Sequence, residues 1–221
     1  MNELTSSSIP FALPEVIKRN PYKRSFDILF SLFALILLLP LMFFIVVLVR
    51  CTSKGKSVYK HPRIGRNGKS FHCYKFRTMY PDADARLKEL LAMHPELRDE
   101  WVSSHKLKND PRVTPFGKFL RKCSLDELPQ FWNVLRGDMS VVGPRPVVLA
   151  EVIAHLGPKS SKILSVRPGL TCLWQVSGRS DTSYERRVAL DEKYVDEPSF
   201  WLDLKLIALT IPRMFFSSGA Y

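Results

Sequence analysis

One stretch of the chain is apolar almost without interruption. Residues 26–49 read FDILFSLFALILLLPLMFFIVVLV, with Asp27 the single charge. At about 1.5 Å of rise per residue, a helix of this length crosses the hydrocarbon of a bilayer. The run is too long for a cleavable signal, and no A-x-A site follows it. Pro40 falls inside and predicts a break or kink, because its ring removes a helix hydrogen bond. Elsewhere apolar and polar positions mix. Residues 52–75 set short apolar stretches between Gly55, Pro62, Gly65 and Gly68, which predicts turns and short strands. Residues 82–106 space Leu87, Leu90, Leu91 and Leu97 among charges, as an amphipathic helix does. Further helices are expected at 114–123, 128–135, 147–156 and 184–195. Residues 200–216 carry Trp201, Leu204, Ile207, Leu209 and Met214, which suits either a core helix or one lying in the lipid interface. The expected class is α+β, mainly helical: an N-terminal membrane helix broken at Pro40, interfacial amphipathic helices and short strands. No internal repeat is present.

Charge changes the picture of the long helix. Lys18, Arg19, Lys23 and Arg24 precede it; Arg50, Lys54, Lys56, Lys60, Arg63, Arg66 and Lys69 follow it. The positive-inside rule holds both flanks on the cytoplasmic side. A re-entrant helix that turns back at Pro40 satisfies both flanks, and a straight spanning helix is the other form. With one such segment, a transporter or multi-pass transferase is not expected. The organisation read here is a flexible basic segment at 1–25, a membrane helix at 26–50 and a cytoplasmic catalytic domain at 51–221. Across the chain, 33 Lys and Arg against 21 Asp and Glu give a net charge of +12. An excess of that size implies an anionic partner: nucleic acid, a lipid surface or a phosphorylated substrate. The basic residues are spread out with no recognised nucleic-acid motif, which argues against the first. Cys51, Cys73, Cys123 and Cys172 form no C-x-x-C pair and fit a reducing compartment. The five histidines are dispersed, so a histidine-ligated metal is not expected.

Two acids stand side by side in this basic chain, in SLDELPQFWNVLRGDMSVVGPRP (residues 124–146). Ser124-Leu125-Asp126-Glu127 fits the capping box that opens many helices. Pro129 disfavours helix at Leu128, so the helix can instead begin near Pro129 and leave the acids in the bend before it. Arg121, Lys122, Arg136 and Arg145 are donors of the kind a diphosphate needs. Gly137, Gly143 and Pro144 would let the backbone approach a ligand closely. A carboxylate beside a divalent cation can attack phosphorus, and a neighbouring acid suits Mg²⁺, which takes one or two carboxylates plus phosphate oxygens. Residues 166–180, VRPGLTCLWQVSGRS, repeat the pairing of a base with stiff or permissive backbone. Trp174 there is either core or a platform for a uracil ring, and Asp191 is by default a solvated helix acid.

Taken together these stretches resemble the bacterial sugar transferases, the monotopic polyprenyl-phosphate phosphoglycosyl transferases that start glycoconjugate synthesis. The likeness is carried, in order, by Tyr74-Lys75-Phe76-Arg77-Thr78-Met79, Ser124-Leu125-Asp126-Glu127-Leu128, Gly137-Asp138-Met139-Ser140, Gly143-Pro144-Arg145-Pro146, Arg167-Pro168-Gly169 and Gly178-Arg179. It is greatest to the exopolysaccharide- and O-antigen-initiating hexose-1-phosphate transferases, including the terminal Gly219-Ala220-Tyr221. The resemblance implies that Asp126 attacks the β-phosphorus of a UDP-sugar, UDP-galactose before UDP-glucose, expels UMP and holds the sugar phosphate covalently until undecaprenyl phosphate takes it. Glu127 would ligate Mg²⁺ and Arg145 would hold phosphate. Lys75, Arg77, Arg121, Arg179 and Asp191 would surround the pocket. The enzyme would sit on inner-leaflet lipid of the bacterial inner membrane, its catalytic domain on the cytoplasmic face, with no nucleic acid and with a homodimer left open. Two positions depart from the family pattern: Leu39-Pro40 replaces the Ser-Pro often found at the helix break, and Cys172 stands where glycine is expected. The rival classes are a membrane phosphohydrolase, in which water replaces the lipid, and a non-enzymatic basic membrane adaptor.

Overall fold

The computed structural model describes residues 21–104, 107, 110–177 and 183–216. The apolar run and the residues just before it form one helix, α1 (Pro21–Thr52). Pro40 lies inside this helix; it removes one backbone hydrogen bond and does not divide the element, so the expected break into two pieces is not seen. The buried residues of α1 are Asp27, Ser31, Ala34, Ile45 and Val49, with Leu38 and Met42 packed between them. Their three- and four-residue spacing marks a single face. Outside that face, Leu29, Phe33, Ile36, Leu37, Leu39 and Phe43 are each more than 60% exposed. A core helix of a water-soluble protein hides such residues; this one leaves them for lipid.

A hairpin follows, β1 (Val58–Ile64) and β2 (Ser70–Phe76), antiparallel from Val58↔Phe76 to Ile64↔Ser70. Asn67, in left-handed backbone with φ 56°, turns the chain between them. The single helix expected at 82–106 is two, α2 (Ala83–Met93) and α3 (Pro95–Ser104). Pro95 forces the division, since it disfavours helical backbone at His94 and itself suits a helix start. Thr114 then caps α4 (Pro115–Lys122) by accepting a 2.9 Å hydrogen bond from the Gly117 N–H. After α5 (Gln130–Arg136), Gly137 stops the helix in left-handed backbone, φ 88°. Strand β3 (Ser140–Val142) pairs in parallel with β4 (Gly169–Thr171). Between them lie α6 (Leu149–Glu151), continued by a π turn over Val152–Leu156, and α7 (Ser160–Ile163). The chain goes on through α8 (Leu173–Ser177), α9 (Tyr184–Asp196) and α10 (Phe200–Phe216).

The Arg167-Pro168-Gly169 and Gly143-Pro144-Arg145 motifs meet at the β3–β4 pair. A Cβ on Gly143 would lie 2.5 Å from the Arg167 carbonyl oxygen, and one on Gly169 would lie 2.1 Å from the Gly143 nitrogen. The backbone that approaches these glycines is the opposite strand, not a ligand as the sequence suggested.

Both ends of α1 dock on the rest of the protein. Arg24 donates to the Val134 and Leu135 carbonyls at 2.6 and 2.9 Å, capping the end of α5. Asp27 accepts from the Ser140 hydroxyl and the Val141 N–H, both at 3.0 Å. Lys23 bridges Asp27 and Asp203 of α10 at 3.3 and 2.9 Å, and the Tyr194 hydroxyl donates to Asp203 at 2.8 Å. The one charge in the apolar run is therefore a docking group. At the far end, Ile45 and Val49 pack with Phe76, Leu120 and Leu128. A second cluster joins Phe71 and Cys73 of β2 to Val134, Met139, Val141 and Leu206, with Phe30 of α1 against it. Helix α10 packs on the core through Leu206 and Asp203, which are buried, while Trp201 and Ile211 face outward.

Candidate active site

Asp126 and Glu127 occupy a single 3₁₀ turn, Leu125–Glu127, between α4 and α5. The capping box does not form. Ser124 sits in left-handed backbone (φ 54°, ψ 18°) and makes no side-chain cap, and α5 begins after Pro129, as the bend alternative required. Ser124 and Asn67 are the only non-glycine residues with positive φ among those described. Such backbone is strained for serine and gathers at functional sites.

Strand β2 supplies the cation. Lys75 Nζ lies 2.6 Å from Glu127 Oε1 and 3.9 Å from Asp126 Oδ2. The buried Asn133 side chain holds β2 against α5: it accepts from the Tyr74 N–H at 3.0 Å and donates to the His72 carbonyl at 2.7 Å. Arg63 and Arg145 line the same pocket as Lys75 and Glu127, with Gln130 and Gln175 completing its polar wall. Arg145 lies over the Trp174 ring at 5.3 Å and Arg187 over the same ring at 4.2 Å. Arg145 also lies close enough to Asp191 for its charge to act on that carboxylate.

The two acids titrate apart. Burial pushes the Asp126 carboxyl up to about 6, partly opposed by Lys75 and raised further by Glu127. Burial also acts against ionised Glu127, but Lys75, Arg145 and Arg63 outweigh it and hold that carboxyl below the usual range. Burial lifts Asp191 to about 7 against the pull of Arg187 and Arg145. One acid fixed as an anion, beside another poised near neutrality and ringed by cations, is the pattern of a site that handles negatively charged substrates.

The bacterial sugar transferase family profile matches residues 18–217. The chain belongs to the bacterial sugar transferases. It is similar to the exopolysaccharide production protein ExoY of Rhizobium meliloti (strain 1021), with 48% identity over 98% of this chain and 97% of that protein. It is 46% identical to the UDP-galactose-lipid carrier transferase of Erwinia amylovora, over 90% of this chain and 41% of that one. The undecaprenyl-phosphate galactose phosphotransferase of Salmonella typhimurium (strain LT2) is 47% identical, again over 90% and 41%. The chain thus spans nearly all of the first relative and well under half of the other two.

In this transferase, Lys75, Asp126, Glu127 and Arg145 converge. Arg121 donates to the Thr78 hydroxyl at 2.9 Å and acts on Asp126 through its charge. Arg77 does not join them. Its guanidinium donates to the Lys56 and Ser53 carbonyls, each at 2.6 Å, and so ends α1. Asp191 is buried beneath Arg145 rather than solvated. Arg136 is half exposed, beside Tyr74 and Asp138, and Lys122 is exposed, so neither supplies the pocket. Arg179 lies outside the described residues, with Gly178 and 219–221. Trp174 is buried, as a core residue would be, and its ring carries two arginines. Cys172 adopts negative φ, so this position needs no glycine.

The sequence reading missed Arg63, Gln130, Gln175 and Arg187. Arg63 looked like one more base flanking the membrane helix. Its position on β1, directly opposite Phe71 of β2, is what brings it to the pocket.

Proposed function

We propose that this enzyme transfers hexose 1-phosphate from a UDP-sugar to undecaprenyl phosphate through a covalent intermediate on Asp126, starting the assembly of a surface polysaccharide. The observation that carries the reading is buried Asp126 beside half-buried Glu127, with Lys75 against both and Arg63 and Arg145 sharing the pocket of Lys75 and Glu127. The family assignment and the relatives named above support the reaction, and two of those names specify galactose, which we take as the sugar ahead of glucose.

In the first step, ionised Asp126 attacks the β-phosphorus of the UDP-sugar. A carboxyl–phosphate bond forms, the bond to the UMP oxygen breaks, and UMP leaves. In the second, a phosphate oxygen of the lipid attacks the same phosphorus and the Asp126 carboxylate is released unchanged. Lys75, Arg63 and Arg145 offset the charge gathered at phosphorus, which is the main way proteins assist phosphoryl transfer. Asp191 and Trp174 hold Arg145 in place.

Among the described residues, no three His, Cys, Asp or Glu side chains converge as a metal cage. Mg²⁺ needs none, because it uses one or two carboxylates and completes its shell with phosphate oxygens and water. Glu127 and Asp126 fit that habit, with Oε1 of Glu127 committed to Lys75. Bound with the diphosphate, Mg²⁺ would neutralise phosphate charge and aid departure of UMP.

Helix α1 is long and apolar enough to cross or re-enter a membrane. Spanning would separate its ends by about 30 Å of hydrocarbon. Lys23 to Asp27 at one end and Val49 to Ser53 at the other instead bond to one compact body, and both flanks are basic. We therefore read α1 as re-entrant, bent at Pro40 without interruption of the helix, with residues 51–221 on the cytoplasmic face of the inner membrane. This sets the pocket at headgroup height, where a lipid phosphate lies.

UMP release from UDP-galactose and UDP-glucose, with and without undecaprenyl phosphate, tests the reaction. Multiple turnovers that require the lipid are expected. Sustained turnover without it would identify a phosphohydrolase instead.

A further inference from the structure

A larger cleft adjoins the polar pocket. It lies between α1, α5 and α10, walled by Phe30, Leu128, Phe131, Val141, Ile207 and Ile211. Glu127, Leu170 and Gln175 line both spaces, so the apolar cleft opens on the phosphate end of the site. Of the hydroxyls that line it, Ser124 stands at the acid end beside Glu127, and the two threonines are already used. Thr171 and Thr210 bond each other at 2.6 Å, and Thr210 donates to the Leu206 carbonyl at 2.7 Å. Away from the Glu127 end, such walls suit hydrocarbon rather than a sugar or a nucleotide, which would bury polar groups without partners. The cleft is also bounded by residues that face outward. Ile211 is 55% exposed, and on α1 the residues flanking Phe30 include exposed Leu29 and Phe33.

We propose that this cleft is the entry for the acceptor: the first isoprene units of the lipid pass between α1 and α10 and bring its phosphate to Lys75 and Arg145. The inference rests on the transferase reading and adds the route. Asp126 is only 8% exposed, so a lipid phosphate must leave the headgroup layer to reach it. A groove running from the lipid-facing helix to Glu127 allows this without drawing the chain through water. The donor, which has no such chain, gains nothing from these walls. Enlarging a side chain there therefore affects the two substrates unequally.

Two measurements test the route on the full chain in phosphatidylethanolamine–phosphatidylglycerol nanodiscs. The first uses a polyprenyl phosphate with a diazirine on its second isoprene unit. Irradiation is expected to label peptides carrying Phe30, residues 128–131 and residues 207–211, and unlabelled polyprenyl phosphate to compete. Labels confined to outward residues such as Phe33 and Phe43, or cleft labels that do not compete, overturn the proposal; the latter would mark a resident bilayer acyl chain. The second is Ile207→Trp, which is expected to raise the acceptor KM about tenfold or more while the donor KM moves less than about twofold. The UMP burst without acceptor reports how much of the variant is folded. An unchanged acceptor KM in a variant with a full burst overturns the route alone. Absence of any burst in the unaltered protein would instead remove the covalent reading beneath it.

Discussion

The ammonium of Lys75 lies 2.6 Å from Oε1 of Glu127, joining a strand to the turn that carries both acids. The same nitrogen is 3.9 Å from Asp126, so one cation keeps Glu127 ionised and opposes the protonation of Asp126 that burial favours.

Replacing Lys75 by Met removes that opposition. The Asp126 carboxyl, now near 6, should rise by about one pH unit or more, as expected for loss of an adjacent opposite charge. The acid limb of the UMP burst rate moves to higher pH with it. Lys75→Arg should keep the limb close to its original place. A pH profile of burst rates for the three proteins checks this, and an unmoved limb in Lys75→Met counts against Asp126 as the titrating nucleophile.

Asp126→Asn should be inactive and more stable. Unfolded, this carboxyl titrates near 4; folded, it titrates at about 6. The native state thus holds a proton that the unfolded state has lost between those values, and stability falls as pH rises through them. At pH 7.5 both forms are ionised and the native one carries the full cost, on the order of 3 kcal/mol. The variant escapes it. Its thermal midpoint should exceed the wild-type value at pH 7.5, and the gap should close towards pH 4.

Asp27 anchors α1 rather than serving the chemistry. Asp27→Ala leaves the Val141 N–H without its acceptor, while the Ser140 hydroxyl keeps the Val142 carbonyl at 2.9 Å, at a cost of about 1–3 kcal/mol. Asp27→Asn retains an acceptor and should lose clearly less. Denaturation in detergent ranks the two, and equal losses would argue that charge alone matters there.

Gly143 and Gly157 separate steric from conformational demand. Gly143→Ala places a methyl 2.5 Å from the Arg167 carbonyl and should force β3 from β4, costing about 3 kcal/mol or more and weakening donor binding through Arg145. At Gly157, φ is 47° but nothing lies within 4 Å. With ψ at −129° this backbone lies outside the left-handed helical well, so its alanine variant should cost about 1–3 kcal/mol and leave the donor KM alone.

The sequence displayed what depends on neighbours along the chain. The apolar run declared α1, Pro129 placed the acids before α5, and the excess of bases around two carboxylates pointed to phosphate. It concealed what depends on pairing at a distance. Arg77 and Arg63 looked alike as bases, yet one ends α1 and the other reaches the pocket, a difference set by the hairpin register. The glycines of two motifs looked like ligand contacts because nothing local shows that the motifs lie against each other. Pro40 was given too much weight: a proline within a helix removes one bond, and α1 keeps its face packed on the body on both sides of it.

The most direct test of the covalent mechanism is the intact mass of the purified protein after brief incubation with Mg²⁺ and UDP-galactose or UDP-glucose, without lipid. A gain of one hexose phosphate, absent in Asp126→Asn and lost when undecaprenyl phosphate is added, is the predicted result. An unchanged mass under conditions where UMP is released and lipid-linked sugar forms would contradict the account, since transfer would then proceed without Asp126 ever holding the group.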